Sequence, residues 1–434
     1  MAGSDEKRYA ASRDWLAKVE ALIPGGTQTF SKGPLLFPRG RAPHFLQQGR
    51  GGRVRDIDGN EYVDVMAALL AVILGYRDPD VDAAIRSQLQ HGISFSLATQ
   101  LEGELAERLI DIIPCADMVR FGKNGSDATA AAVRVARAAT GRERVITTGY
   151  HGWQDWYIGA TTRHKGVPEC VRGLTHRAPF NDLEAMRGLF DQYPDEIAAV
   201  MIEPVHTEEP RTGYLQGLRD LTREQGAVLV FDEIITACRI HTGGAQAHYG
   251  VTPDLTCLGK ALGNGMPLSV IAGRRELMRE FDDIFISGTF GGEALSLAAA
   301  LAVLEKMQCE PVIDTLWRSG RRLREGLQRS ITGHGIDNVM AIAGLPPMQS
   351  LTFRDHAHAS RQAVQTLYAV SMLEQGVLTT GAFNLMYAHD NADIDGVLAA
   401  FDRTCARIAE EIAQPGLADR LGCPLIQPVF RVRE

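Results

Sequence analysis

The chain reads as an α/β protein whose mainly parallel sheet is covered by helices on both faces. Apolar runs of strand length recur along the middle of the sequence: Met118-Val-Arg-Phe, Arg144-Val-Ile-Thr-Thr, Ile197-Ala-Ala-Val-Met-Ile and Ala227-Val-Leu-Val-Phe. Amphipathic helical text lies between them, and this alternation is the signature of parallel strands joined by helices. Polar and glycine-bearing segments follow the strands at their C-terminal ends, where ligands bind in open α/β sheets.

The elements follow in order. The first sixty residues are rich in glycine, proline and arginine, and Asp56-Ile-Asp-Gly-Asn between Val54-Arg and Glu61-Tyr-Val predicts a small hairpin. Met118-Val-Arg-Phe predicts a short strand, and Asp127 to Thr140 an alanine-rich helix stopped by Gly141. Strands are expected at Arg144, Ile197 and Ala227, with a further short apolar run ending at Gly259-Lys260. A long helix is expected over Ala294–Cys309, and the remainder reads as a smaller C-terminal domain ending in a helix over Ile394–Ile412.

At 434 residues the chain has room for two or more domains, and its 45% hydrophobic and 23% charged residues are those of an ordinary soluble protein. The net charge of −8 is spread without a basic block, which argues against a nucleic-acid partner. No apolar run of about 20 residues predicts a membrane span. The polar, acidic start argues against a secretory signal. Seven cysteines without a Cys-x-x-Cys pair suggest neither a disulfide framework nor a metal site, so a cytoplasmic setting with reduced thiols is expected.

The chemistry concentrates at strand ends. Asp232 closes one apolar run and Lys260 another, the latter followed by the turn Ala-Leu-Gly-Asn-Gly-Met-Pro. A carboxylate and a lysine at neighbouring strand ends are what a pyridoxal phosphate (PLP) enzyme needs: the amine binds the cofactor covalently, and the carboxylate keeps the pyridine nitrogen protonated. Singly, each has a plainer reading, as a cap or a solvated side chain. Gly122-Lys-Asn-Gly-Ser-Asp-Ala lies between a strand and a helix N-terminus, an anion seat in which Gly125 and Ser126 would meet a phosphate; an N-capped helix would look the same. Tyr150 is placed to stack on a pyridine ring with His151 behind it, although a Tyr-His pair can equally fill a crevice. Glu203 ends a strand and either orients the site or serves structure. Ile234 is placed for the opposite ring face or for core packing. Thr289, in a glycine turn, suits a second phosphate contact or a helix cap.

These elements, in this order, resemble the class III PLP-dependent aminotransferases of fold type I, over nearly the whole chain. The branch most resembled is that of glutamate-1-semialdehyde aminomutase and its aminotransferase relatives, on Pro24-Gly-Gly, Asp58-Gly-Asn-Glu-Tyr-Val-Asp, Ala128 to Gly141 with Arg134 and Arg137, Tyr150-His-Gly and Phe231-Asp-Glu. The resemblance implies a seven-stranded large domain over 61–315, and a small α+β domain built from segment 1–60 and the C-terminal part 316–434. It assigns Lys260 as the Schiff-base lysine, Asp232 as pyridinium partner, Gly125 and Ser126 to the phosphate and Tyr150 to the ring. Thr289 would reach the phosphate of a neighbouring subunit, which implies a homodimer with shared sites.

Departures fall on the substrate side. Lys32 stands where the aminomutase pattern has an arginine, so the bidentate fork for a carboxylate is lost. Ala68-Leu69 replaces a Ser-Trp pair, the segment before Gly288-Thr is shorter, and Gly291-Gly-Glu-Ala replaces Ser-Gly-Asn-Pro. Lys123-Asn-Gly-Ser-Asp-Ala-Thr, His151-Gly-Trp-Gln-Asp-Trp-Tyr and Thr289-Phe-Gly-Gly-Glu-Ala-Leu-Ser are similar to the sub-branch that aminates sugars, including enzymes that install the 6′-amine of aminoglycosides. Trp153, Trp156 and Tyr157 would then offer faces to a sugar, and Asp155 or Glu293 would meet ammonium groups, unless these acids are simply solvated. The expected activity is transfer of an amino group from glutamate or glutamine to an aldehyde or ketone. An aminomutase or epimerase, an NAD-type oxidoreductase disfavoured by the missing dinucleotide fingerprint, and a non-catalytic PLP-binding protein are the alternatives.

Overall fold

A computed structural model describes residues 7–205 and 207–428. The chain forms two compact units: one takes the chain up to Leu69, Leu74–Asp78 and the chain from Asp314, and the other takes Leu70–Ile73 and Pro79–Ile313.

Strands are numbered along the chain. In the first unit β1 (Leu46–Arg50), β2 (Arg53–Asp56) and β3 (Glu61–Asp64) form an antiparallel meander. The β2–β3 turn is the hairpin foreseen at Asp56: the Asp56 carboxylate accepts from the Asn60 N–H at 2.8 Å and from the buried Tyr62 hydroxyl at 2.9 Å. Packing of Tyr9, Phe37, Val54, Tyr62, Leu373 and Leu378 secures this meander on its inner face.

The second unit holds the large sheet. Its strands are β4 (Met118–Gly122), β5 (Arg144–Thr148), β6 (Thr175–Arg177), β7 (Ile197–Ile202), β8 (Val228–Asp232), β9 (Leu255–Leu258) and β10 (Ser269–Gly273). Their spatial order is β4-β10-β9-β8-β7-β5-β6, and the run from β9 to β6 is parallel throughout. β10 is antiparallel to both β9 and β4, so the sheet is mainly but not wholly parallel. Every residue of β7 and β8 is buried, because helices cover both faces. Alternate residues serve opposite cores: Val228 and Val230 pack with Ala128, Val135 and Met201, while Leu229 and Phe231 pack with Met186, Phe190 and Leu218. Each such side chain contributes roughly 1.5–3 kcal/mol by leaving water.

The remaining strands, β11 (Met340–Leu345), β12 (Met348–Phe353), β13 (Val377–Leu378) and β14 (Ala382–Asn384), belong to the first unit. β11-β12-β14 form a three-stranded antiparallel sheet, and β13 joins β3 in parallel to complete a four-stranded one. Among the described residues no helix is long and apolar enough to cross a membrane.

Candidate active site

The C-terminal ends of β7, β8 and β9 lie side by side and deliver Glu203, Asp232 and Lys260. Asp232 is the last residue of β8 and pairs in register with Cys257 of β9, two residues before Gly259-Lys260. Only 4% of Asp232 is exposed, and each oxygen of its carboxylate has a partner. Oδ1 accepts from the Ile234 N–H at 3.2 Å, and Oδ2 lies 2.8 Å from His151 Nδ1. His151 is fully enclosed, and its Nε2 lies 2.8 Å from the Thr148 carbonyl. A carbonyl only accepts, so Nε2 carries a hydrogen, and a proton is held between Nδ1 and the carboxylate. Trp156 stacks on the imidazole at 6.2 Å with an 18° interplanar angle and fixes its plane.

Lys260 opens a single 3-10 turn, Lys260–Gly263, with φ +43°. A non-glycine residue there stores strain of about 1 kcal/mol or more, held by its surroundings. Burial lowers the lysine pKa; the charges of Glu203 and Asp232 oppose that shift, and the Arg239 charge adds to it. Glu203 Oε2 accepts from the Tyr150 N–H at 2.9 Å. This approach requires glycine before Tyr150, because a Cβ on Gly149 (φ +95°) would lie 2.4 Å from that oxygen. Burial also raises the Tyr150 pKa, with Asp232 and Glu203 adding to it.

The helix Gly125–Thr140 starts beside this cluster. Asn124 and Asp127 form a capping box, with Asp127 Oδ2 accepting from the Asn124 N–H at 2.8 Å and the Lys123 N–H at 3.2 Å. Among the described residues the N–H groups of Gly125 and Ser126 have no protein partner, so the positive end of a 16-residue helix keeps two donors for an anion. Ser126 Oγ accepts from the Trp153 N–H at 3.2 Å. Gly152 (φ +100°) makes that possible, since a Cβ there would fall 2.2 Å from Ser126 Oγ. Ile234 spans the site: ideal Cβ atoms on Gly125 and on Gly259 would each come 3.2 Å from its Cδ1. The unit therefore brings together an anion seat, a buried carboxylate, a partly buried lysine, an aromatic ring and an aliphatic face. These are the groups that PLP requires, and Gly125, Ser126, Tyr150, Ile234, Asp232 and Lys260 could hold it.

The substrate-side residues are arranged differently. Trp153 is 64% exposed and Asp155 is exposed at the start of the short helix Asp155–Ile158. Trp156 and Tyr157, expected as sugar platforms, are instead buried in the core behind His151, with the Tyr157 hydroxyl donating to the Gly149 carbonyl at 2.7 Å. Glu293, expected to meet an ammonium group, has its carboxylate committed within the fold. It caps the helix Ala294–Cys309 through the Leu295 N–H at 2.7 Å and takes the Ser296 hydroxyl at 2.6 Å and Lys123 Nζ at 3.0 Å. Thr289 is exposed on the segment before that helix. Arg134 and Arg120 hold the same segment by donating to the carbonyls of Phe285 at 2.9 Å and Ile286 at 2.8 Å. A recess of 790 Å³ lies between that segment and β4, bordered by Lys123, Arg134 and Thr289, while Lys260 does not line it. Lys32 is exposed in a short turn of the other unit. Sequence reasoning missed Lys123, Arg239 and Asn264. Asn264 alone left a signal, as the one polar residue inside a glycine turn.

Residues 37–396 match the aminotransferase class-III family. The chain is 34% identical to a glutamate-1-semialdehyde 2,1-aminomutase of Natranaerobius thermophilus, across 93% of this chain and 100% of that one. It is 30% identical to a 3-aminobutyryl-CoA aminotransferase of Cloacimonas acidaminovorans, across 93% and 99%. Among solved structures, the PLP internal aldimine form of the FumI protein of Sphingopyxis sp. MTA144 superposes with a TM-score of 0.88 at 29% identity, covering 95% of this chain and 100% of that one. The fold, the strand-end cluster and these relatives agree: the chain belongs to the class III aminotransferases and is a PLP-dependent enzyme.

Proposed function

We propose that Lys260 binds the cofactor and moves the catalytic proton in a two-stage transfer from an amino acid donor to an aldehyde acceptor. The observation that carries this reading is the register of β8 with β9, which sets Asp232 and Lys260 at neighbouring strand ends beside the open N–H groups of Gly125 and Ser126. In this reading those two residues hold the phosphate, and Tyr150 and Ile234 cover the two ring faces. Asp232 faces the ring nitrogen, and His151 and Glu203 hold Asp232 and Tyr150 in place.

When bound, PLP supplies an electron sink that acidifies the carbon bearing the donor's amino group. Asp232 keeps the proton on the ring nitrogen, because a carboxylate favours the charged form of its partner. The hydrogen bond from His151 fixes the direction in which that carboxylate points. Burial favours the neutral form of the Lys260 amine, so it can take the proton from the substrate carbon and return it at the cofactor's C4′ atom. In the second stage the same groups run the sequence backwards on the acceptor.

The donor in this reading is glutamate or glutamine, and the acceptor is the 6′-aldehyde of an amino sugar. Lys32 in place of an arginine and the exposed Trp153 and Asp155 support a substrate other than an amino-acid semialdehyde. Thr289, exposed on a segment pinned by Arg120 and Arg134, would complete the phosphate site of a second copy, so we propose a homodimer. The similarity to an aminomutase favours one further reading, an intramolecular transfer on glutamate-1-semialdehyde. One assay separates them. L-glutamate should bleach the visible absorbance of the lysine-bound cofactor with one equivalent of keto acid released, and an amino-sugar aldehyde should restore it as the aldehyde becomes an amine. Turnover of glutamate-1-semialdehyde in the absence of any amino donor would replace the transferase reading by the aminomutase.

A further inference from the structure

Two loops of the site are tied to one strip of backbone, Leu70–Ile73. Arg239, wholly buried, lies on the loop that follows Asp232, and its guanidinium donates to the carbonyls of Leu70 and Val72, both at 3.2 Å. Asn264 closes the turn opened by Lys260, and its side-chain oxygen accepts from the Ile73 N–H at 2.9 Å. Val72 also packs beside that turn, 3.6 Å from where a Cβ on Gly265 would stand. The strip therefore staples the loop after Asp232 to the turn carrying Lys260.

The strip does not lie there by intrinsic preference. It is entered through four consecutive non-glycine residues in left-handed conformation, Ala67, Ala68, Leu69 and Leu70, with φ of +51°, +50°, +61° and +70°. Such geometry costs about 1–2 kcal/mol per residue and persists only where other contacts hold it. Asn264 is itself left-handed at φ +43°, so its placement serves the turn and the side-chain bond together.

We infer that Arg239 and Asn264 are positioning residues: through the shared strip Leu70–Ile73 they fix the loop after Asp232 against the Lys260 turn and thereby set the reactivity of the Lys260 amine. The charged groups acting on that amine are Glu203 from β7, Asp232 from β8 and Arg239 from the stapled loop. Tyr150 and His151 stand behind the two carboxylates. Loss of the Arg239 charge removes a cation that favours the neutral amine. Loss of the Asn264 side chain loosens the turn and admits water to the amine. Both changes favour the protonated, unreactive form.

This inference rests on the reading of Lys260 as the cofactor lysine, and the test separates the two. Cofactor-stripped protein is labelled with trinitrobenzenesulfonate between pH 6 and 10, with Lys260 and the exposed Lys18 followed by peptide mass spectrometry. Arg239→Met and Asn264→Gly should each slow Lys260 labelling at pH 8 by about threefold, half a pKa unit, with Lys18 unchanged. Arg239→Lys, which keeps the charge without the fork, should fall between wild type and Arg239→Met. Glycine tolerates the left-handed backbone at 264, so Asn264→Gly carries the test if Arg239→Met does not fold. A lower Tm with unchanged Lys260 labelling would make both residues purely structural and overturn the inference. Borohydride trapping of PLP on another lysine of the wild-type protein would instead overturn the reading on which it rests.

Discussion

The two sides of this site are built by opposite means. On the proposed cofactor side Asp232, His151, Glu203 and Ser126 are buried, and every one is cross-bonded to a neighbouring loop. On the outer side Trp153, Asp155 and Phe290 stand exposed. The difference follows from chemistry. A cofactor of fixed shape rewards preorganised groups, whereas exposed side chains that the fold does not need leave the outer side free to suit a different acceptor.

That contrast makes unequal demands on the two sides, and substitutions can break it. Lys260→Ala should lower turnover by at least about 10³-fold while cofactor still binds, since the group proposed to move the proton is gone; dialysis-resistant PLP together with single-turnover rates measures both. Asp232→Asn should reduce the rate by about 10²–10³-fold, because the ring nitrogen would lose its proposed electrostatic partner. A near-normal rate in either variant would place the chemistry elsewhere. Gly152→Ala should weaken PLP binding by about tenfold or more in equilibrium dialysis, as its Cβ would collide with Ser126 and its φ is strained.

Substitutions at Glu293 and Trp153 have smaller effects. Glu293→Ala removes a helix cap and the partner of Lys123, and should cost about 1–2 kcal/mol at pH 7 by denaturant unfolding. Burial pushes the Glu293 pKa up, but the bonds from Ser296, Lys123 and the Leu295 N–H bring it below its ordinary 4.5. Its stabilisation is therefore complete above that value and lost as pH falls through the lowered folded value, so the two proteins should converge in acid. Trp153→Ala should leave the donor stage unchanged and raise KM for the acceptor about fivefold, the loss expected for one exposed aromatic contact. A defect in the donor stage would move Trp153 to the cofactor side.

The placement of Asp232, Glu203 and Lys260 was legible because they follow or end uninterrupted apolar strands, so position along the chain gives position at the sheet edge. The central strands and the helices at Gly125 and Ala294 lie where apolar runs and glycine stops place them. β10 was not anticipated, because Ser269-Val-Ile-Ala-Gly carries no mark of its antiparallel direction. The outer side was less legible. A Trp-x-x-Trp-Tyr string gives no sign of which ring faces inward, and Trp156 and Tyr157 are taken by the core around His151. Glu293 looks like a free acid until the Lys123 amine and the helix start are seen converging on it. The Arg239–Asn264 staple depends on three distant segments meeting, and only the fold reveals that.

The most direct test is to load the protein with PLP, reduce it with borohydride, digest it and locate the modified lysine by mass spectrometry. Modification is expected at Lys260 alone, with loss of that modified peptide in Lys260→Ala. Modification at another lysine, or none in protein that transfers amino groups, would remove Lys260 from the chemistry.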